Sequence, residues 1–215
     1  MNDSRNSTLS FEVFPSNTQI GVESLIKNLD ALKNLNPDFI SVTCSNNKSN
    51  IEETTLKIAN HVENVLHVPA VAHLPATYLN KNQVQHILDA LKNQGISRVL
   101  ALRGDIFPDI APQNDFAYAN DLVHFIKDYA PDMTISGACY PEIHPESQNV
   151  VQDIQHLKKK TDAGCSELIT QLFFDNDIFY TFQERCALAN IEVPILAGIM
   201  PIVNRNQAIR LVKTS

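Results

Sequence analysis

Residues 82–105 read NQVQHILDALKNQGISRVLALRGD and contain one full period of the pattern that decides the fold. Val84, Ile87, Leu88 and Leu91 recur at three- and four-residue spacing, which gathers them into one apolar stripe along a helix. The stripe stops at Gly95, a residue free to take the left-handed conformation that closes a helix. Ser97–Arg103 follows as a short run apolar on both sides, and its polar residues gather at its end. A helix with one apolar face, next to a strand with two, is the repeating unit of a parallel sheet covered by a layer of helices.

The same unit recurs along the chain. Strands are predicted at Ser10–Pro15, Asp38–Cys44, Val68–Leu74, Ser97–Arg103, Met133–Tyr140, Glu167–Phe173 and Pro194–Met200. Helical stripes run through Leu25, Ile26, Leu29 and Leu32, through Leu122, Phe125, Ile126 and Tyr129, and through Val150, Val151, Ile154 and Leu157 before Gly164. An open doubly wound sheet and a closed barrel both fit this alternation. No GxGxxG or Walker-type glycine loop follows any strand, which removes the usual mark of a nucleotide-binding open sheet. Polar residues instead collect at the carboxyl ends of the strands: Thr43, His73, Arg103, Asp105, Tyr140, His144, Gln171 and Asp175. That is where barrels build their active sites. The expected fold class is α/β, of the (β/α)8 TIM-barrel type, with seven βα units visible and the eighth missing. Ala208, Ile209, Leu211 and Val212 still carry helical spacing as the sequence ends at Ser215. The expected organisation is an N-terminal extension, residues 1–9, and a single catalytic barrel domain, residues 10–215, incomplete at its C-terminal end.

Composition narrows the function. Of 215 residues, 44% are hydrophobic and 19% charged, enough apolar material for a large core and too little charge for a disordered chain. With 17 basic and 24 acidic residues the net charge is −7, which argues against a nucleic-acid partner held by counterion release. The N-terminus has no apolar signal segment, and the longest nearly apolar stretch, Val193–Val203, contains two prolines. No membrane span is expected, and the expected location is the cytoplasm. Cys44, Cys139, Cys165 and Cys186 lie far apart without a CxxC pair and read as small buried residues in a reducing compartment.

Several residues stand out chemically. Glu12 lies between Phe11 and Val13 inside the first strand, where burial should raise its pKa toward what a general acid needs. Its competing reading is a strand-edge glutamate facing solvent. Arg103-Gly104-Asp105 puts two charges and a flexible backbone at a strand end; a structural Arg–Asp pair is the alternative. Tyr140–Glu146, YPEIHPE, packs an aromatic ring, two carboxylates and an imidazole into a proline-restricted loop. His144 and Glu146 flank a proline with no third ligand motif, so no metal is expected. His73 alone reads as a core histidine, and Lys158–Lys160 as a solvated helix face with one member turned toward the sheet ends.

In this order, FEVFP, SVT, AHL, LALRGD, YPEIHPE, KTDAG, ITQLFFD and AGIMPI resemble the flavin-dependent 5,10-methylenetetrahydrofolate reductase family of bacterial type, across nearly all of residues 10–204. The resemblance implies a (β/α)8 barrel that holds FAD at the strand carboxyl ends. It implies an oxidoreductase acting on CH–NH donors, which reduces 5,10-methylenetetrahydrofolate to 5-methyltetrahydrofolate with NADH or NADPH in a ping-pong reaction of one-carbon metabolism and methionine synthesis. Glu12 corresponds to the general acid that protonates the amine released as the folate ring opens to an iminium ion. Asp105 corresponds to the carboxylate that stabilises that cation and influences the flavin. Both are implied to be catalytic and to contact the folate, together with Gln171. Thr43, His73, Arg103, Gly104, Asp105, Tyr118, Ala119, Tyr140, His144, Asp153 and Lys160 fall on the implied FAD contacts. The chain departs from the family pattern at Ser16, over residues 44–48 and at Pro75-Ala76. A homo-oligomer is expected. The alternative reading is a truncated or degenerate homologue that binds flavin or folate without turnover.

Overall fold

The structure is a computed structural model and describes residues 7–16, 18–44 and 54–214. Seven strands, β1 (Ser10–Val13), β2 (Phe39–Val42), β3 (Ala70–Pro75), β4 (Arg98–Leu102), β5 (Thr134–Cys139), β6 (Glu167–Thr170) and β7 (Ile195–Leu196), alternate with helices. The helices are α1 (Gln19–Lys33), α2 (Leu56–Asn60), α3 (Lys81–Asn93), α4 (Ala119–Tyr129), α5 (Val150–Asp162), α6 (Asn176–Leu188) and α7 (Arg205–Thr214). All strand pairings are parallel and run in chain order from β1 to β7, as seven units of a (β/α)8 barrel curled into an arc. β1 and β7 form its two edges. No helix among the described residues is long and apolar enough to cross a membrane.

Register decides which side chains face the concave interior. Ser10 pairs with Phe39, Ser41 with Val71, Val71 with Arg98, Leu100 with Ser136 and Ser136 with Glu167, so these residues share one face. Phe39, Val71 and Leu100 pack there as a small buried cluster against Leu102, Ile169 and Leu196. The alternate residues, among them Ile40, Val42, Ala72, Leu74, Val99 and Ile135, point the other way and meet Leu29, Val84, Leu88, Leu91, Leu122 and Ile126. That larger core lies between sheet and helices, and each aliphatic side chain fully buried in it contributes about 1.5–3 kcal/mol. Helix starts are set by local side chains. Asn80 and Gln83 form a reciprocal capping box on α3, and the Asn149 side chain accepts from Gln152 N on α5. α3 closes at Gly95, with φ of 75°.

The predicted strand order matches the structure, and the predicted stripes fall on helices, although Val151 and Tyr129 in them are exposed; the strand lengths do not match. β7 is two residues long where Pro194–Met200 was expected, β6 stops at Thr170 rather than Phe173, and β1 stops at Val13 rather than Pro15. At the β6–β7 end the reason is visible. The Thr170 hydroxyl takes the Gly198 N–H at 2.8 Å, which replaces a ladder bond by a side-chain bond. Three sections had no predicted helix: α2, the π-helical segment His61–Val65 that prolongs it, and α6. The π-turn breaks the spacing of Leu56, Ile58, Ala59 and Val62, and α6 buries only Phe182 and Cys186 while exposing Tyr180 and Leu188. Of the expected extension 1–9, residues 1–6 lie outside the described residues, as does most of the 44–48 departure. Leu9 is tied to the barrel, since its N–H bonds Asp38 Oδ2 at 2.7 Å.

Candidate functional site

The carboxyl ends of β4 and β5 open into a cavity of about 670 Å³, walled by the start of α4 and by α5. Its size falls within the range of about 300–1,000 Å³ typical of small-molecule sites. Nine of the expected residues line it: Arg103, Gly104 and Asp105 from the turn after β4, Tyr118 and Ala119 at the start of α4, Tyr140 and His144 after β5, and Asp153 and Lys160 on α5. The other four, Glu12, Thr43, His73 and Gln171, are not part of that lining. Alternation places Glu12, His73 and Gln171 on the concave face of β1, β3 and the end of β6.

On that face His73 Nε2 lies 3.6 Å from Glu12 Oε2, just beyond hydrogen-bond length. Burial raises the Glu12 carboxyl above its usual range. Burial also pushes the His73 imidazole down to about 4, so it is neutral at physiological pH. Its Nε2 is buried with no hydrogen-bond partner among the described residues. The solvent-facing reading of Glu12 is half right: it lies on an edge strand and its side chain is 45% exposed, yet the buried imidazole beside it gives it a defined neighbour.

The cavity itself is a charged chamber. Arg103 makes a two-pronged bond to Glu146, Nη1 to Oε2 at 2.5 Å and Nη2 to Oε1 at 2.6 Å, and this holds the Glu146 carboxyl below its usual range. The alternative reading of Arg103 was a structural pair with Asp105; its fork holds Glu146. His144 Nδ1 accepts from Glu146 N at 3.1 Å, and its ring meets Tyr140 edge-on at 4.6 Å. Ile143 between them has φ of +80°, a strained value for a β-branched residue, so packing holds this loop in a form the free chain avoids. Among the described residues no three His, Cys, Asp or Glu side chains gather as a metal site.

The three lysines separate as their helix faces dictate. Lys158 pairs with Asp162 one turn away, Lys159 lines the cavity, and Lys160 runs inward to donate to Ala138 O at 2.5 Å. Its stem crosses β5 at Gly137, where a Cβ would come 2.8 Å from Lys160 Cδ. Burial lowers the Lys160 pKa. Asp153 accepts from Ser147 Oγ at 2.8 Å. Gln152, His156 and Glu146 also line the cavity and were not among the expected contacts. Gln152, His156 and Lys159 follow the same three- and four-residue spacing as Asp153 and Lys160, a signal present in the sequence. The Glu146–Arg103 bond had none, because it joins loops 43 residues apart. None of the four cysteines is in a disulfide, and Cys139, Cys165 and Cys186 are buried.

A parallel βα arc with its polar residues and its cavity at the strand carboxyl ends defines a (β/α)8-barrel protein of the ligand-binding kind. Residues 1–215 match the methylenetetrahydrofolate reductase family, and the chain belongs to it. It is 38% identical over 200 residues to the 5,10-methylenetetrahydrofolate reductase of Escherichia coli, covering 93% of this chain and 66% of that protein. Methylenetetrahydrofolate reductase (NADH) 1 of Arabidopsis thaliana is 37% identical over 94% of this chain and 36% of its own length. The Buchnera aphidicola 5,10-methylenetetrahydrofolate reductase is 36% identical, covering 100% of this chain and 72% of that protein. The chain therefore spans about a third to two thirds of the length of the first two. Among solved structures, an uncharacterized Clostridium thermocellum protein that binds two copies of 5-methyl-5,6,7,8-tetrahydrofolic acid superposes with a TM-score of 0.68. That match covers 98% of this chain and 72% of the other at 14% identity, a likeness of fold.

Proposed function

We propose that this chain carries the barrel of a flavin-dependent reductase that converts 5,10-methylenetetrahydrofolate to 5-methyltetrahydrofolate with NADH or NADPH. The observation that carries the reading is Glu12, a carboxyl raised by burial and set beside a neutral imidazole on the inner face of a barrel from this family. The overall change is a hydride from the nicotinamide and a proton from the protein, ending as a methyl group and a free amine on the folate.

The residues present fit FAD. Arg103, Lys159 and Lys160 offer cations for a pyrophosphate, and Asp153 and Asp105 offer acceptors for hydroxyl groups. Gly104, at φ +92° and with room for no Cβ beside Pro75, allows the backbone to approach a ligand closely. When bound, FAD would supply two-electron hydride transfer between donor and acceptor.

The chain's own groups do the rest. Glu12, whose carboxyl burial raises above its usual range, delivers a proton to the nitrogen freed as the folate ring opens. His73 stays neutral, so it adds no positive charge against the iminium cation and does not pull Glu12 toward ionisation. Asp105 offers a negative charge to the same cation. Gln171, whose N–H is anchored on Cys139 O at 2.7 Å, presents both a donor and an acceptor at the mouth of the interior. The chain's four cysteines, none of them in a disulfide, suit a reducing cytoplasm.

The experiment is anaerobic spectroscopy of the purified protein, first with NADH and then with methylenetetrahydrofolate. Flavin absorbance should bleach and return. Glu12→Gln should keep the bleaching and slow the return by about 10²–10⁴-fold, the usual contribution of a positioned acid. In the unsubstituted protein the return should slow as pH rises through the raised Glu12 pKa. Unimpaired return in Glu12→Gln would overturn the acid role. A colourless protein that takes up no added FAD would favour a homologue without turnover.

A further inference from the structure

Asp105 sits exposed on an irregular turn after β4, yet its use requires a fixed position. The turn is held from the neighbouring loop. The Arg103 carbonyl accepts twice from Thr77, from the backbone N–H at 2.7 Å and from the hydroxyl at 2.6 Å, and that hydroxyl is also 3.3 Å from Gly104 O. Beyond Asp105, the Phe107 N–H donates to the Tyr78 hydroxyl at 2.6 Å, and the two rings stack with centroids 6.0 Å apart. Gln113 N closes the same loop onto Thr77 O at 2.8 Å. Both Thr77 and Tyr78 are buried. Pro75, one of the departures from the family pattern, packs against Gly104 so closely that a Cβ there would meet its side chain at 2.9 Å.

We propose that Thr77 and Tyr78 are positioning residues for Asp105, two consecutive side chains that clamp the backbone on both sides of it. The proposal rests on the reading of Asp105 given above. A clamped carboxylate needs no reorganisation when positive charge develops on the folate, whereas a turn free to swing would lose part of that stabilisation. Neither side chain is required to touch the substrate.

The test compares Thr77→Val, Thr77→Ser, Tyr78→Phe and Asp105→Asn with the unsubstituted protein. Amide hydrogen exchange of the protein as purified should show Phe107 and Gln113 opening faster in Thr77→Val and Tyr78→Phe, with α3 unchanged. In the FAD-loaded protein these two variants should slow the folate half-reaction about tenfold, the scale of one lost hydrogen bond. The nicotinamide KM should stay the same, and the flavin reduction potential should move in the same direction as in Asp105→Asn. Thr77→Ser, which keeps the hydroxyl, should restore rate and potential. The proposal is overturned if Asp105→Asn is impaired while Thr77→Val and Tyr78→Phe keep the unsubstituted potential and folate rate, or if Thr77→Ser fails to rescue. An Asp105→Asn protein with unchanged folate reduction overturns the reading of Asp105 itself, and the positioning role with it.

Discussion

His73 is a buried side chain whose chemistry the fold changes strongly. Its imidazole is held at about 4 in the folded chain against an ordinary value of 6.5. Between those values the unfolded chain binds a proton that the folded chain refuses. The associated stability is therefore complete above pH 6.5 and is lost as pH falls toward 4, by about 3 kcal/mol, with no further loss below. Urea unfolding at pH 7 and pH 4 should show that loss, and His73→Gln should show a smaller one; an equal acid loss in both proteins would rule out His73 as the cause. Glu12 leans the other way. Its raised carboxyl costs stability as pH rises past the usual carboxylate range, and the neutral imidazole at 3.6 Å does nothing to reverse that.

At the scale of elements, one polar network inside the arc ties four strands together. Arg98 on β4 reaches across β5 to Glu167 on β6, Nη2 to Oε1 at 2.8 Å, and Ser136 on β5 donates to the same oxygen at 2.6 Å. The guanidinium also lies 4.9 Å from the centroid of the Phe39 ring on β2. The Arg98 and Glu167 side chains are 25% and 15% exposed, so this pair lies between the surface and the fully buried case. Removing one partner, as in Glu167→Ala, should cost about 2–3 kcal/mol, because the other charge is left half-desolvated. Arg98→Met together with Glu167→Leu should recover most of it. A double-mutant cycle by urea unfolding checks this, and simple additivity of the two single losses would show that the pair is not coupled.

The whole molecule depends on the same arrangement. The cavity is bounded by β4, β5, α4 and α5 together, so a ligand seated there binds the folded arc and not the separated elements. FAD at a hundred times its Kd should add about 2.7 kcal/mol, which for a chain of this size is a rise in Tm of roughly 5–10 °C. Differential scanning calorimetry with FAD and with riboflavin, which lacks the pyrophosphate, should show the larger rise for FAD. Equal shifts would mean that Arg103 and the α5 lysines do not hold phosphates. The two edge strands set a further property of the arc. β1 has four residues and β7 two, and short edges offer little backbone for pairing with another sheet.

The order of the strands, and the helices that carry a regular stripe, were legible in the sequence because they depend on local spacing; α2 and α6, which lack such a stripe, were not. The stripe Val84, Ile87, Leu88 and Leu91 has a period of 3.6 residues wherever it is read, and strands apolar on both sides need helices on one of them. The set at the strand ends was legible for the same reason, since a strand's carboxyl end is a position along the chain. Tertiary structure alone decided which of those residues meet. It divided the expected contacts between the cavity and the concave face, joined Arg103 to Glu146, and drew Lys160 inward while Lys158 stayed on Asp162. It also put Thr77 and Tyr78 around Asp105. These are contacts between loops distant in the chain, and their partners depend on strand register and barrel curvature. Burial, which raises the Glu12 pKa and lowers that of His73 and so favours the neutral form of both, is likewise a property of the packed molecule and of no segment of its sequence.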